Sequence, residues 1–304
     1  MSDIGIIIVT YNSAEEIGPC LDAAIATGAE IVVVDNASHD DTVAEIRRRN
    51  VRLIANSENR GFAGAVNQGF VVLNTTYVLL LNPDSVVIRG LEALRDACDL
   101  PGSAGAGGRL MGADGQPQAG FMARQLPTPA TLILEALLLN RIWPSNPVNR
   151  RYRLFGAEYS KRFAVEQPAG AFLMVRRNVW QELGGFDEGF FPVWFEDVDF
   201  CRRIQQRGFT LYYVPEAVAK HTGGHSIPHL GVEMRRVYWY RSLLRYSAKH
   251  FRPGAFRAVC VAVCLGSIIR GIAGAAMHRS FGPISTYGMV LRQAWKVMVF
   301  GFRP

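Results

Sequence analysis

What most constrains this chain is the order of its first ninety residues, where short β-branched runs alternate with helical segments. Residues 6–10, 31–35, 51–55 and 77–81 are short, mostly apolar runs that read as strands buried on both faces, and 14–26, 40–49 and 62–73 carry helical patterns between them. Strand–helix–strand units of this kind cross over right-handed and lay their strands parallel. The expected fold is therefore α/β, a mostly parallel, doubly wound central sheet flanked by helices. Ser38, with Asp41 three residues on, is the expected cap of the second helix.

Open sheets of this type bind ligands beyond the carboxyl ends of their strands, and the sequence delivers polar groups there. Leu79-Leu80-Leu81 crosses the core and Asn82-Pro83-Asp84 follows; the proline, lacking an N–H, ends the pairing and leaves Asp84 at the strand's end. Asp84 suits Mg²⁺, which takes one or two protein carboxylates and fills its shell with water and phosphate oxygens. Taken alone, it suits a helix cap as well. About a hundred residues later, Gly184-Gly185-Phe186-Asp187 and the aromatics up to Trp194 and Phe195 read as a hinge and lid leading to Glu196, Asp197 and Asp199. These acids open a helix, whose dipole favours ionised carboxylates, while aromatic surroundings raise a carboxyl pKa toward that of a general base. Simple capping explains one or two of the acids but not the aromatics. Val198 and Cys201 are expected to face the core, which turns Glu196 and Asp199 to a shared side. His221, in a Gly-rich stretch after a strand at 209–214 and Pro215, is preferred over His225 as a second metal ligand.

Thr10-Tyr11-Asn12 and Asp35-Asn36-Ala37-Ser38 end adjacent strands and together offer a polar crevice for a base and ribose, although the second also reads as an ordinary turn. Arg60, before Gly61 at a helix start, is placed to meet a phosphate. The glycines from Gly61 do not have dinucleotide-fingerprint spacing and there is no Walker lysine loop, so hydride transfer and P-loop phosphoryl transfer both lose ground. From 102 to 168 the chain is rich in Gly and Pro and predicts mobile loops around one helix at 131–142; pattern returns as strands at 170–175 and 209–214 and helices at 178–183 and 196–207.

Charge divides the chain. Residues 230–304 hold twelve Lys/Arg against the single acid Glu233, a balance of +11, which leaves −4 for residues 1–229 within the chain's +7. We expect a catalytic domain at 1–229 and a basic, helical C-terminal region at 230–304. Such a tail attracts polyanions: an anionic membrane surface, a lipid diphosphate or nucleic acid. Its apolar stretch, twelve uncharged residues from Ala258 to Ile269 broken by Arg270, falls short of the roughly twenty a spanning helix wants, so a helix lying in the membrane plane costs less than a spanning one. A helix docked on the protein's own core is the plain alternative. Five cysteines without a C-x-x-C pair argue against a disulfide framework and a zinc site. The amino terminus runs into Ile4-Gly5-Ile6 with no basic n-region or cleavage site, so the active domain is expected at the cytoplasmic face of the plasma membrane, attached peripherally.

As an ordered set, Val9-Thr10-Tyr11-Asn12, Val34-Asp35-Asn36-Ala37-Ser38, Asn59-Arg60-Gly61-Phe62-Ala63, Asn82-Pro83-Asp84, Gly184-Gly185-Phe186-Asp187, Phe195-Glu196-Asp197-Val198-Asp199 and the His221-to-Ser226 run resemble the inverting family 2 glycosyltransferases. The fold implied is GT-A, a Rossmann-like sheet, and the match is strongest with the bacterial rhamnosyltransferase-like branch, over residues 4 to about 250. The resemblance implies that Asp35 reads the pyrimidine, that Thr10, Tyr11, Asn12, Asn36, Arg60, Gly61 and Asn82 line the nucleotide pocket, and that Asp84 holds Mg²⁺ or Mn²⁺. Asn82 stands where the family usually has a first Asp, which strengthens His221 as the second ligand. Asp197, beside Glu196, matches the catalytic base. Trp194, Asp187, Arg235 and Arg236 are expected on the acceptor side. The implied partners are a dTDP- or UDP-linked sugar donor, a lipid-linked or polysaccharide acceptor and an anionic membrane; nucleic acid is not expected. A non-catalytic nucleotide-sugar-binding protein on the same fold is the alternative, and the retained acids and His221 speak against it.

Overall fold

The computed structural model describes residues 3–223 and 231–302. They form two compact units, one of residues 3–126, 153–188 and 196–223 and one of residues 127–152, 189–195 and 231–302. In chain order the elements are β1 (Ile4–Thr10), α1 (Ile17–Ala26), β2 (Glu30–Asp35), α2 (Thr42–Arg47), β3 (Arg52–Ala55), α3 (Gly61–Val72), β4 (Tyr77–Leu81), β5 (Ser85–Arg89), α4 (Leu91–Cys98), β6 (Ser103–Met111) and β7 (Ala123–Arg124). Then come α5 (Pro129–Ala136), α6 (Leu139–Ile142), α7 (Pro147–Tyr152), β8 (Phe163–Val165), β9 (Gln167–Pro168), β10 (Phe172–Arg176), α8 (Arg177–Leu183), α9 (Glu196–Gln206), β11 (Thr210–His221), α10 (Val232–His250), α11 (Pro253–His278) and α12 (Gly282–Phe300).

The first unit is built on a nine-stranded mixed sheet in the order β3-β2-β1-β4-β10-β6-β11-β5, with β8 beside β11. Its first four strands are parallel, as the β-branched runs predict. β1, β4 and nearly all of β2 are fully buried. Gly69 lets α3 lie close on this layer: a Cβ there would stand 2.8 Å from Ile7 Cγ2. The third run differs from expectation. β3 is an edge strand with partly exposed side chains, because no strand among the described residues pairs beyond it.

Four further expectations change. Pro83 ends β4, but pairing resumes one residue after Asp84 as β5, which runs antiparallel to β11 at the far edge. The Gly-rich stretch at 102–108 is a central strand, β6, not a loop; its small residues admit the neighbouring strands, and a Cβ on Gly107 would meet Pro168 at 2.5 Å. The strand expected to stop at Val214 continues through Pro215 to His221. It absorbs the missing N–H in a register shift between Val214 and Val218. Ser38 does not cap α2; Asp40 Oδ1 accepts from the Thr42 amide and hydroxyl instead. The five cysteines are free.

In the second unit the helix expected at 131–142 is two, α5 and α6, separated by Leu138 in the left-handed region (φ 64°). The apolar C-terminal run is not interrupted: α11 continues through Arg270 for 26 residues. Arg270 donates to the Ala136 and Glu135 carbonyls at the end of α5, where helix carbonyls lack intrahelical partners, and its guanidinium lies 5.7 Å from the Tyr240 ring. One face of α11 is buried through Val259, Val263 and Ser267, while Val261, Leu265, Ile268 and Ile272 form an exposed apolar stripe with a spacing of four, three and four residues. The aromatic run read as a lid is packed in this unit. Phe190 lies under Arg245, and Phe195 sits against Trp239 and Tyr246 of α10.

Candidate active site

Strand register explains how two residues 137 positions apart meet. His221 pairs with Ser85 across β11 and β5, and the Thr222 amide donates to the Asp84 carbonyl at 3.2 Å. That registration puts His221 Nε2 3.6 Å from Asp84 Oδ1, with both side chains almost fully buried. A divalent cation sits about 2 Å from each carboxylate or imidazole donor, so two donors at this distance fit one ion. Among the described residues no group of three His, Cys, Asp or Glu side chains gathers around a metal, so such an ion would draw the rest of its shell from elsewhere. Asn82 occupies the turn before Asp84 and its carbonyl accepts from the Ser85 amide.

At α9, Val198 and Cys201 face the core as expected, and Glu196 and Asp199 are both buried. Asp199 has structural work: it pairs with Arg203 at 2.8 Å, and Arg203 donates to the carbonyls of Leu183 and Gly185. Gly184 and Gly185 are consequently a fixed helix stop with left-handed φ of 72° and 73°, not a hinge, and Asn67 bonds both the amide and the carbonyl of Phe186 beyond them. Asp187 follows this clamped turn. Asp197 is half-buried and accepts from the Val198 amide at 2.8 Å. Gly170 leaves room beside it, where a Cβ would stand 3.3 Å from its Oδ2. Burial pushes the Asp197 carboxyl above its ordinary pKa; amide donors at Val198 and Gly170 and the Arg124 charge pull the other way without cancelling it.

The nucleotide-side residues split by what their side chains already do. Asp35 is buried and accepts from Thr10 Oγ1 at 2.8 Å and from the Ser38 amide and hydroxyl. A carboxylate offers about four acceptor sites, so roughly one is left. Asn12, with φ of 50°, receives the His39 amide on its side chain and gives its own amide to Ser38. Asn36 is committed within the protein: it donates to the Gly61 carbonyl and accepts from Asn56 and the Arg60 amide, tying the end of β2 to the start of α3. Arg60 is exposed and Tyr11 half-exposed. Of the acceptor-side candidates, Trp194 (φ 79°) lies in the second unit, as do Arg235 and Arg236, the latter stacked on Tyr287. His225 and Ser226 lie outside the described residues.

Sequence reading missed the segment 118–124. Gln118 bonds His221, the Phe121 ring stacks on the His221 imidazole (5.2 Å, 3°), and the Arg124 guanidinium lies 5.1 Å from the Phe121 ring, its charge acting on Asp197 through space. One short segment thus contacts the Asp84–His221 site and adds positive charge to the field at Asp197. Its only signal in the sequence is a three-residue spacing of Gln, Phe and Arg in a stretch that reads as loop.

The Glycosyl transferase family 2 profile matches residues 5–179, and the Glycosyltransferase like family 2 profile matches 150–241. The chain belongs to glycosyl transferase family 2. It is 31% identical over 281 residues, covering 82% of this chain and 90% of the relative, to the N-acetylglucosaminyl-diphospho-decaprenol L-rhamnosyltransferase of Mycobacterium tuberculosis. It is 27% identical over 218 residues, 69% of this chain and 64% of the relative, to the low-salt glycan biosynthesis hexosyltransferase Agl10 of Haloferax volcanii. The fold is GT-A: the mannosyltransferase PcManGT of Pyrobaculum calidifontis, solved with GDP-Man and Mn²⁺, superposes with a TM-score of 0.52 over 99% of this chain and 88% of that one, at 17% identity.

Proposed function

We propose that this glycosyltransferase transfers rhamnose, from a dTDP-linked donor, to a hydroxyl of a lipid-linked acceptor in cell-surface glycan synthesis, with inversion and with a divalent cation. The observation that carries the reading is the pair of acidic sites in one unit: Asp84 beside His221, and Asp197 at the start of α9, held above its ordinary pKa by burial, with residues 118–124 contacting the first and adding the Arg124 charge to the field at the second. Mg²⁺ or Mn²⁺ held by Asp84 and His221 would neutralise charge on the departing diphosphate. The residues supply the rest. Asp35 spends its remaining acceptor site on the pyrimidine N–H, with Thr10, Tyr11, Asn12 and Asn82 around the nucleoside, Arg60 and Gly61 toward the phosphates, and Asn36 as scaffold. Asp197 takes the proton of the acceptor hydroxyl as that oxygen attacks the anomeric carbon from the face opposite the diphosphate, and Glu196 supports it from the same helix turn. A single displacement inverts the anomer and needs no covalent nucleophile. Asp187, Trp194, Arg235 and Arg236 serve the acceptor.

The second unit is our candidate for attachment to the membrane. α11 is by length and composition long and apolar enough to cross a membrane. With Arg270 inside it, and with the exposed stripe on α11, Trp295 on α12 and Arg257, Arg279, Arg292 and Lys296 nearby in sequence, we favour a helix pair seated in the plane of an anionic bilayer. Kinship with the mycobacterial relative supports rhamnose and a lipid diphosphate acceptor. Calorimetric titration with dTDP and with UDP, each with and without Mn²⁺, tests the proposal. We expect Mn²⁺-dependent binding with dTDP preferred; a UDP preference changes the donor class, and no binding of either removes the Asp84 metal assignment and favours the non-catalytic alternative.

A further inference from the structure

His221 has a partner that family resemblance does not supply. Gln118 meets it twice: its Nε2 donates to the His221 carbonyl at 2.9 Å, and its Oε1 lies 2.9 Å from His221 Nδ1. These two contacts decide a proton. A backbone carbonyl only accepts, so the amide nitrogen of Gln118 must face it and the amide oxygen must face the ring. An amide oxygen also only accepts, so Nδ1 must carry hydrogen. In the neutral imidazole the lone pair then falls on Nε2, the atom facing Asp84 at 3.6 Å.

Gln118 can impose this because its own backbone is fixed. Its amide donates to the Leu110 carbonyl on β6, and its carbonyl accepts from the amides of Phe121 and Met122 at 3.0 and 3.1 Å. Leu110 in turn pairs with Ala219, two residues before His221 on β11. The loop that carries the amide is therefore tied to β6, and the imidazole is carried by the adjacent strand β11. Phe121, stacked on the imidazole, limits rotation of the ring out of the plane that serves both bonds.

We propose that Gln118 is a positioning residue that locks His221 in the Nδ1–H tautomer, so that Nε2 is presented as a ligand for the cation shared with Asp84. The inference rests on the metal-site reading above and assigns it a residue that no D-x-D or histidine motif contains. Outer partners of metal-bound histidines fix tautomer and orientation, and their loss costs about 10- to 100-fold in metal affinity.

The test compares Gln118→Leu with Gln118→Glu in the full-length chain labelled with ¹⁵N-histidine, the His221 signals being assigned by their loss in His221→Asn. In the metal-free wild type, above the pH at which the ring titrates, the ¹⁵N shifts should report Nδ1–H. Gln118→Leu should shift the population toward Nε2–H and weaken Mn²⁺ binding in the presence of dTDP by about 10- to 100-fold. Gln118→Glu keeps an acceptor against Nδ1 but loses the donor to the backbone carbonyl; it should keep the tautomer and most of the affinity. If Gln118 merely tethers the loop, both variants lose affinity alike and the tautomer of Gln118→Leu stays as in the wild type, which overturns the proposal. Absence of Mn²⁺ binding to the wild type overturns the metal site itself, and is told apart from failure of Gln118 alone because the tautomer is read without metal.

Discussion

The end of β4 and the start of α9 each present a carboxylate to the same unit, and the two are built in opposite ways. Asp84 is nearly enclosed and faces an imidazole, with its backbone pinned by the neighbouring strand. Asp197 keeps part of its surface open, yet protein surrounds it closely enough that burial outweighs the amide donors and the Arg124 charge, and its pKa rises. The first arrangement suits a group that shares its charge with a cation. The second suits a group that takes a proton, since a base held above the ordinary aspartate range accepts one more readily. Position in the fold sets this division: a strand end fixed on two sides against a helix start fixed by its first-turn amide.

Breaking the second site should have the larger effect. Asp197→Asn is expected to lower kcat by about 10³-fold, within the range for loss of a positioned base, while leaving the affinity for dTDP with Mn²⁺ unchanged. Initial rates beside a nucleotide titration check this, and unchanged turnover would remove Asp197 as the base. Asp84→Ala should instead weaken Mn²⁺-dependent nucleotide binding by roughly 100-fold, the upper end of the losses that follow removal of a metal ligand's outer partner; identical Mn²⁺ titrations of variant and wild type would show that the two carboxylates do not divide the work this way. A third variant leaves both sites alone. Leu265→Gln, on the exposed stripe of α11, should lower partitioning onto anionic vesicles about tenfold with soluble-acceptor turnover intact, because burying one leucine contributes about 1.5 kcal/mol or more and the uncharged glutamine gains nothing from the anionic surface. Unaltered partitioning would place the lipid contact elsewhere.

The same contrast marks how much was legible. The parallel strands announce themselves because each is a short, mostly apolar run, and polar residues gather at and just after their ends, where the sheet opens; the positions of Thr10, Asp35 and Asp84 follow from that. The acids of α9 are visible as a cluster, but not that Asp199 belongs to Arg203, since that pairing depends on the two carbonyls Arg203 also grips. β6 is hidden because Ser103-Ala104-Gly105-Ala106-Gly107-Gly108 has the composition of a loop. It is a strand because β10 and β11 close in on it from both sides, a tertiary requirement with no local signature. Residues 118–124 are hidden for the same reason: Gln118 acquires its role only when β6 and β11 bring Leu110 and Ala219 into register.

The smallest expected effect is on stability, and its sign follows from the raised pKa of Asp197. A carboxyl whose folded pKa lies above its unfolded value binds more protons in the native state between the two, so the native state loses stability as pH rises from the unfolded value, near 4, through the folded one. Asparagine cannot ionise and escapes that loss. Asp197→Asn carries its own cost, because its amide NH₂ meets a site that offers amide donors at Val198 and Gly170, but that cost does not depend on pH. The informative quantity is therefore the difference in Tm between variant and wild type, followed from about pH 4 to pH 8. It should move steadily in favour of the variant as pH rises and then level off. A difference that stays flat across this window would mean that the Asp197 carboxylate is not held at a cost in the native state, and the distinction drawn between it and Asp84 would lose its electrostatic basis.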